Sequence, residues 1–140
     1  MSVIQASVCA ILDNKQVKCF GRNDYGQLGY GDIFDRGDDI EEMGSFLPAV
    51  DFGTNRYAVR LFPSSSDTIC ALLNTADVKC WGHNGYLALG MGIPVTQNIG
   101  DELFEMGDNL VVIAIPTTRT IVNLWVAHHV VAILDDNTMI

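Results

Sequence analysis

Basic side chains are scarce in this chain of 140 residues: eight Lys and Arg stand against 17 Asp and Glu, a formal net charge of −9. A surface that grips a phosphate backbone needs stripes of lysine and arginine, so nucleic acid is disfavoured as a ligand. Long apolar runs are also missing, and none approaches the roughly 18 residues of a membrane span. The stretches at 110–115 and 121–134 are broken by Pro116, Asn123 and the pair His128–His129, which fits buried strands. The N-terminus opens without a basic region or a small-residue cleavage site, so no signal peptide is visible. The three histidines, His83, His128 and His129, bring neither a Ser-His-Asp order nor metal-ligand spacing, and structural roles are expected of them. The four cysteines fall into two C-x9-C pairs, not the C-x-x-C of zinc ribbons and redox sites. No catalytic residue, cofactor or metal ligand is expected.

What the chain has is internal repetition. Cys9–Gly31 returns 61 residues later as Cys70–Gly92, and a third copy opens at Val131. At that offset Cys9, Ala10, Leu12, Val17, Lys18, Cys19 and Gly21 meet identical residues, Phe20 meets Trp81, and Asn23, Tyr25, Leu28, Gly29 and Gly31 match again. A second block is displaced by 63: Gly37, Asp38, Glu42, Met43, Gly44 and Leu47 meet Gly100, Asp101, Glu105, Met106, Gly107 and Leu110. A long fixed period is the mark of a repeat architecture, and the shift between blocks is an indel in a surface loop.

The unit reads as β structure. Residues 9–12 and 17–20 are short apolar and β-branched runs around the polar turn Asp13-Asn14-Lys15-Gln16, which is a hairpin. A three-residue loop wants a left-handed third position, and Lys15, Ala76 and Asn137 occupy it. The Gly-rich tail after each hairpin is a compact turn, not a helix. Further strands are expected at 47–52 and 57–62, so that with 68–73 and 78–81 a unit has four; 110–115, 120–127 and 129–134 repeat the pattern. Phe20 and Trp81 are expected to stack between units, and Trp125 to plug a neighbouring strand.

The string Cys-Ala-x-Leu…Val-Lys-Cys-(Phe/Trp)-Gly-x-Asn-x-Tyr-Gly-Gln-Leu-Gly-x-Gly resembles the repeat of the regulator of chromosome condensation family, in its bacterial and protist variant with two cysteines per hairpin. Copy two departs at Leu87 and Ala88, where copy one has Gly26 and Gln27. Asp67 stands where the family has His, which His128 retains. The resemblance implies an all-β fold, a seven-bladed β-propeller whose blades are four-stranded antiparallel sheets. This chain would supply a partial propeller of about two and a third repeats. Repeat one is placed at about 1–61, repeat two at about 62–122 and the start of repeat three at about 123–140. Such a piece is expected to be a fragment, or to need further repeats or self-association to close, because open ends expose edges and apolar faces.

Members of the family include an exchange factor for a small GTPase, ubiquitin-ligase recognition domains and a secreted β-lactamase inhibitor. The resemblance therefore implies a non-catalytic protein–protein interaction module. The alternatives are a guanine-nucleotide exchange factor-type regulator and a structural or assembly repeat. The variable acidic inserts at 32–46 and 93–109 are the expected partner face, with Asp32, Asp35, Asp38, Asp39, Glu41, Glu42, Asp101, Glu102, Glu105 and Asp108 as candidate contacts for a partner of basic character. A calcium loop is the other reading of residues 32–42, but the alternating carboxylates of an EF-hand are missing.

With the loop centred on residue 14, Cys9 and Cys19 fall opposite each other, as Cys70 and Cys80 do around residue 75. Opposed positions bring the backbones close enough for a bond, so Cys9–Cys19 and Cys70–Cys80 disulfides are expected. The rival reading has all four as small core residues of a cytosolic protein. Paired cysteines would favour an extracytoplasmic or secreted location.

Overall fold

The hairpins form where the short β-branched runs place them, and their turns take the expected shape. The computed structural model describes residues 2–4 (backbone alone), 6–85, 89, 97–126 and 129–140. Strands β1 (Ser2–Ile4), β2 (Ser7–Ile11) and β3 (Val17–Gly21) make a first antiparallel sheet in that order. Strands β4 (Ala58–Pro63), β5 (Thr68–Leu73), β6 (Val78–Gly82) and β7 (Val112–Ile113) make a second, also in chain order. Strands β8 (Ile121–Val126) and β9 (Val130–Leu134) make the third. Among the described residues no helix is long and apolar enough to cross a membrane. The sheets stack as blades: β4 packs against β1 and β2 on one side and β8 on the other.

All three hairpin turns are built alike. Leu12 N donates to Gln16 O, Leu73 N to Asp77 O and Leu134 N to Thr138 O. The third loop residue is left-handed each time: Lys15 at φ 71°, Ala76 at 66° and Asn137 at 64°. This turn sets the register, which pairs Cys9 with Cys19 and Cys70 with Cys80. Both pairs are disulfide-bonded, with Cα atoms 4.1 Å and 4.0 Å apart.

The fourth strand does not come from where the sequence places it. Residues 47–52 form no strand and do not join β4. Val50 N instead donates to Val17 O, beside β3. The equivalent stretch of the second unit is β7, which pairs Ile113 with Val78 along β6. Each insert is therefore an excursion that leaves the third strand of a sheet and returns to the edge of that same strand, as β7 in the second sheet and through the Val50–Val17 bond in the first. The sequence pattern shows that 47–52 is apolar but not which edge it pairs with, because that choice is made by a contact across the insert.

Packing follows the two-residue period of a strand. Strand β5 is buried throughout. Its Ile69, Ala71 and Leu73 join Cys9, Cys19, Phe52 and Trp81 in the core against the first sheet. Cys70 and Leu72 face the other way, onto Leu124, Val126, Ala132 and Leu134 of the third. Trp81 is fully buried and meets Phe52 edge-on at 5.6 Å, as stacking between units requires. Trp125 corrects the expectation made for it: it is 64% exposed. Its counterpart 63 residues earlier is Phe62, which is 4% exposed because the third sheet covers it. Trp125 lies on the matching face of the third sheet, which nothing covers among the described residues.

Candidate functional site

The inserts hold the charge of the whole molecule. Ten of the 17 acidic and one of the eight basic side chains lie in residues 32–46 and 93–109, a balance of −9. The remaining seven acids and seven bases cancel. Residues 93–96 lie outside the described residues, as do Leu87, Ala88 and His128.

Each insert is bolted to its own blade by the same set of bonds. It leaves through a bridge to the end of the third strand, Gly21 with Arg36 and Gly82 with Ile99. A buried asparagine then ties the Gly-rich turn: Asn23 Oδ1 accepts from Leu28 N at 2.9 Å, and Asn84 Oδ1 from Leu89 N at 3.2 Å. At the far end a lysine from the third strand holds the insert's last glycine. Lys18 Nζ donates to Gly44 O at 2.8 Å, and Lys79 Nζ to Gly107 O at 2.8 Å. Lys79 also reaches Phe52 O at 3.1 Å from a buried position. Burial pushes its pKa below the usual lysine value, helped by the like charge of Arg56. These roles were missed in the sequence, although Lys18/Lys79 and Gly44/Gly107 recur together. A polar residue repeated inside an apolar strand was the signal.

The candidate acidic residues divide by what they touch. Glu42 accepts from the N–H groups of Gly37, Asp38 and Asp39, and those of Gly37 and Asp39 hold its pKa below the usual range. Glu105 makes the same cap, on Gly100 and Glu102. There burial outweighs the N–H groups and raises its pKa, with the neighbouring Asp101 adding to the rise. Asp32 pairs with Arg36 at 2.6 Å, Asp35 accepts from Asn23 N, and Asp108 accepts from Thr54 and Arg56. Asp38, Asp39, Glu41 and Glu102 are exposed on the surface of the inserts, and Asp101 is half-buried. Among the described residues no group of three or more His, Cys, Asp or Glu side chains is placed to hold a metal ion.

Beside the acids the inserts present apolar tips, a feature the charge count hides. Ile40 is 92% exposed, and Leu103 and Phe104 are 74% and 84% exposed. Glu41 and Phe104, equivalent by position, both sit in the left-handed region at φ 67° and 70°. Between the Gly-rich turn of the first unit and the insert of the second runs a groove of about 540 Å³. Tyr30, Asp32, Pro48, Leu103, Phe104 and Met106 are among its walls. Its backbone is tied at both ends: Gly31 N donates to Gly100 O, and Gly107 N to Asp51 O, each at 3.0 Å. The units approach so closely that a Cβ on Gly26 would lie 2.3 Å from Asp101 N, and one on Gly29 would lie 2.8 Å from Trp81 Nε1. Tyr30 is held rigid, its hydroxyl accepting from Cys19 N at 2.8 Å and donating to Cys19 O at 2.7 Å. Burial raises its pKa to about 12.

Residues 7–27 match the profile of the Regulator of chromosome condensation (RCC1) repeat. A comparison with curated proteins finds no match. Human WBSCR16 is similar in structure, with a TM-score of 0.61 at 13% identity, the alignment covering 98% of this chain and 30% of that one. Yeast RCC1 (Prp20), in its complex with Kap60, aligns at a TM-score of 0.56 and 15% identity over 99% of this chain and 30% of that one. Prp20p of Saccharomyces cerevisiae gives 0.55 at 15% identity, with the same coverage of 99% and 30%. The chain thus spans 30% of the length of the solved structures it matches. Residues 7–27 thus match one regulator of chromosome condensation repeat, and the stacked sheets are blades of a partial β-propeller like those of these solved structures.

Proposed function

We propose that the chain is a non-catalytic protein-interaction module whose inserts form the face that takes the partner. The observation that carries this reading is the collection of the entire net charge and of exposed apolar tips on inserts held rigid by the blades. Recognition on a propeller is expected in such loops, and a negative face favours a basic partner and faster encounter at low salt. Two similar structures support it: one is yeast RCC1 (Prp20) bound to Kap60, and the other is described with its binding to Gsp1p and histones. The paired, fully buried cysteines fit an oxidising compartment.

The test is affinity capture by the wild-type chain against a variant carrying Asp38→Asn, Asp39→Asn, Glu41→Gln and Glu102→Gln. These side chains are exposed, so the fold is kept. Deleting a whole insert is the wrong tool, since it strips Lys79 of an acceptor. Loss of the captured protein with an unchanged melting curve supports the module; equal capture by both chains overturns it.

A second reading, assembly, has its own observation. The first sheet presents Val8, Ala10 and Phe20 half-buried, where the second sheet buries Ile69, Ala71 and Trp81 against its neighbour. The third sheet leaves Trp125 open. The two ends of the stack are thus the two halves of one blade interface, suited to further repeats or to another copy.

A further inference from the structure

We infer that the groove between the first unit's Gly-rich turn and the second unit's insert takes an extended, cationic segment of a partner protein, with one apolar or aromatic side chain seated in the groove. The inference rests on the interaction-module reading and deepens it.

The groove offers apolar surface on a fixed frame. Tyr30 is locked by its two hydrogen bonds to Cys19, and Arg36 lies 5.5 Å over the same ring. Opposite stand Met106 and the outward-turned Leu103 and Phe104. Large apolar side chains left in water beside a concave surface are what a partner's anchor residue covers. Phe104 is held there by a left-handed backbone, at φ 70°, that a bulky residue rarely adopts. Such strain persists where the surroundings impose it, and the side chain is 84% exposed there.

The charge around the groove selects the partner. Asp32, Asp51 and Asp108 line it against Arg36, which pairs with Asp32, and Arg56, which pairs with Asp108, so the balance of these five is −1. Glu102, exposed next to Leu103, adds to it, residues 93–109 contain no basic residue, and residues 32–46 hold six acids against Arg36 alone. A segment with an apolar anchor but acidic flanks would be repelled, and a polycation without an anchor would leave Leu103 and Phe104 in water. Only the combination satisfies both. The ties Gly31–Gly100 and Gly107–Asp51 fix the two walls, so the frame is preorganised and little ordering is needed on binding.

The probe is a fluorescein-labelled peptide of lysines and serines around one central phenylalanine. Its controls have alanine at the centre, or glutamates in place of the lysines. Titrated against the intact chain, the first peptide binds, the alanine version binds about tenfold more weakly, as loss of an anchor costs, and the glutamate version shows no binding. Binding weakens as salt is raised. Phe104→Asn, which keeps the left-handed backbone because asparagine adopts it readily, lowers affinity for the phenylalanine peptide about tenfold and leaves the alanine peptide unchanged. Equal binding of the phenylalanine and alanine peptides, or an unchanged affinity in Phe104→Asn, overturns the groove. If capture of a cellular protein survives Phe104→Asn but is lost in the charge-neutralised variant, the module reading stands and the groove alone fails. If the charge-neutralised variant also captures normally, both fail.

Discussion

The ammonium of Lys79 donates to the carbonyl of Gly107 at 2.8 Å, and the lysine is buried to 1% exposure where it does so. A bond from strand to insert, repeated in Lys18 and Gly44, makes the acidic inserts part of the blade. Replacing Lys79 with methionine keeps the volume but takes the donor from Phe52 O and leaves Gly107 O with only the longer bond from Leu110 N, at 3.3 Å. The acceptor lost at Phe52 and the weakened one at Gly107 outweigh the relief of unburying a charge, and a loss of about 2 kcal/mol is expected. Lys18→Met costs less than about 1 kcal/mol, since water can replace a donor at the more open site. Urea unfolding of the two variants checks the ranking. Equal losses would show that the buried site has no special standing.

The hairpin turns carry strain that can be removed. Lys15 and Ala76 hold φ 71° and 66°, a region in which a side chain costs roughly 1 kcal/mol or more and glycine nothing. Ala76→Gly is expected to stabilise the chain by about 0.5–1 kcal/mol after the extra freedom of glycine in the unfolded state is counted. Lys15→Gly gains less, because the lysine ammonium lies 5.9 Å over the Tyr57 ring. Asn137 already suits the position, so Asn137→Gly changes little. Thermal melts that rank the three in another order would contradict the turn assignment.

Much of this was legible in the sequence, and the part that was not shares one physical cause. The pairing of Cys9 with Cys19 follows from a local turn, and a turn's register is written in a few consecutive residues. The partner of residues 47–52 depends on a contact across the insert, with Val17, which no local pattern encodes. The acids look alike in the sequence, yet Glu42 spends its charge on three backbone N–H groups while Glu41 points to solvent. The difference is made by the loop path. Ile40 and Leu103 were visible as apolar residues within acidic runs, but only the fold shows them uncovered.

Tyr30 gives the alkaline limit of the blade. Its pKa in the fold is pushed up to about 12 from an ordinary 10.0, first by burial. The folded chain therefore holds this proton more tightly than the unfolded chain. The stability it contributes is complete below pH 10 and is lost as pH rises through about 12. Allowing for the ring's partial exposure, the loss is about 2 kcal/mol. Tyr30→Phe should be less stable at neutral pH, for want of the bonds to Cys19, and should lose less stability across that alkaline window. Chemical unfolding at a series of pH values measures both. Parallel curves for the two proteins would mean that the hydroxyl is not buried as described.

The disulfides sit at the interfaces between sheets, with all four cysteines at 0–1% exposure. Cys9–Cys19 faces the core between the first and second sheets, and Cys70 and Cys80 face the third. An alkylating agent should therefore find no thiol in the folded chain. In the unfolded, unreduced chain it should still find none, and four appear only after reductant is added. Closing a loop of about eleven residues adds on the order of 2.5–3 kcal/mol per bridge in the chain-entropy model. Replacing Cys70 and Cys80 together by alanine should cost about that much, plus a cavity term at a site where every neighbour is packed. Removing the Cys9–Cys19 bridge should cost the same entropic part, because the two rings are of equal length. Intact-mass measurement with and without reductant on protein from its native compartment decides the first point. Four alkylatable thiols in the unreduced protein would return the cysteines to the role of small core residues, and the oxidising compartment would lose its support.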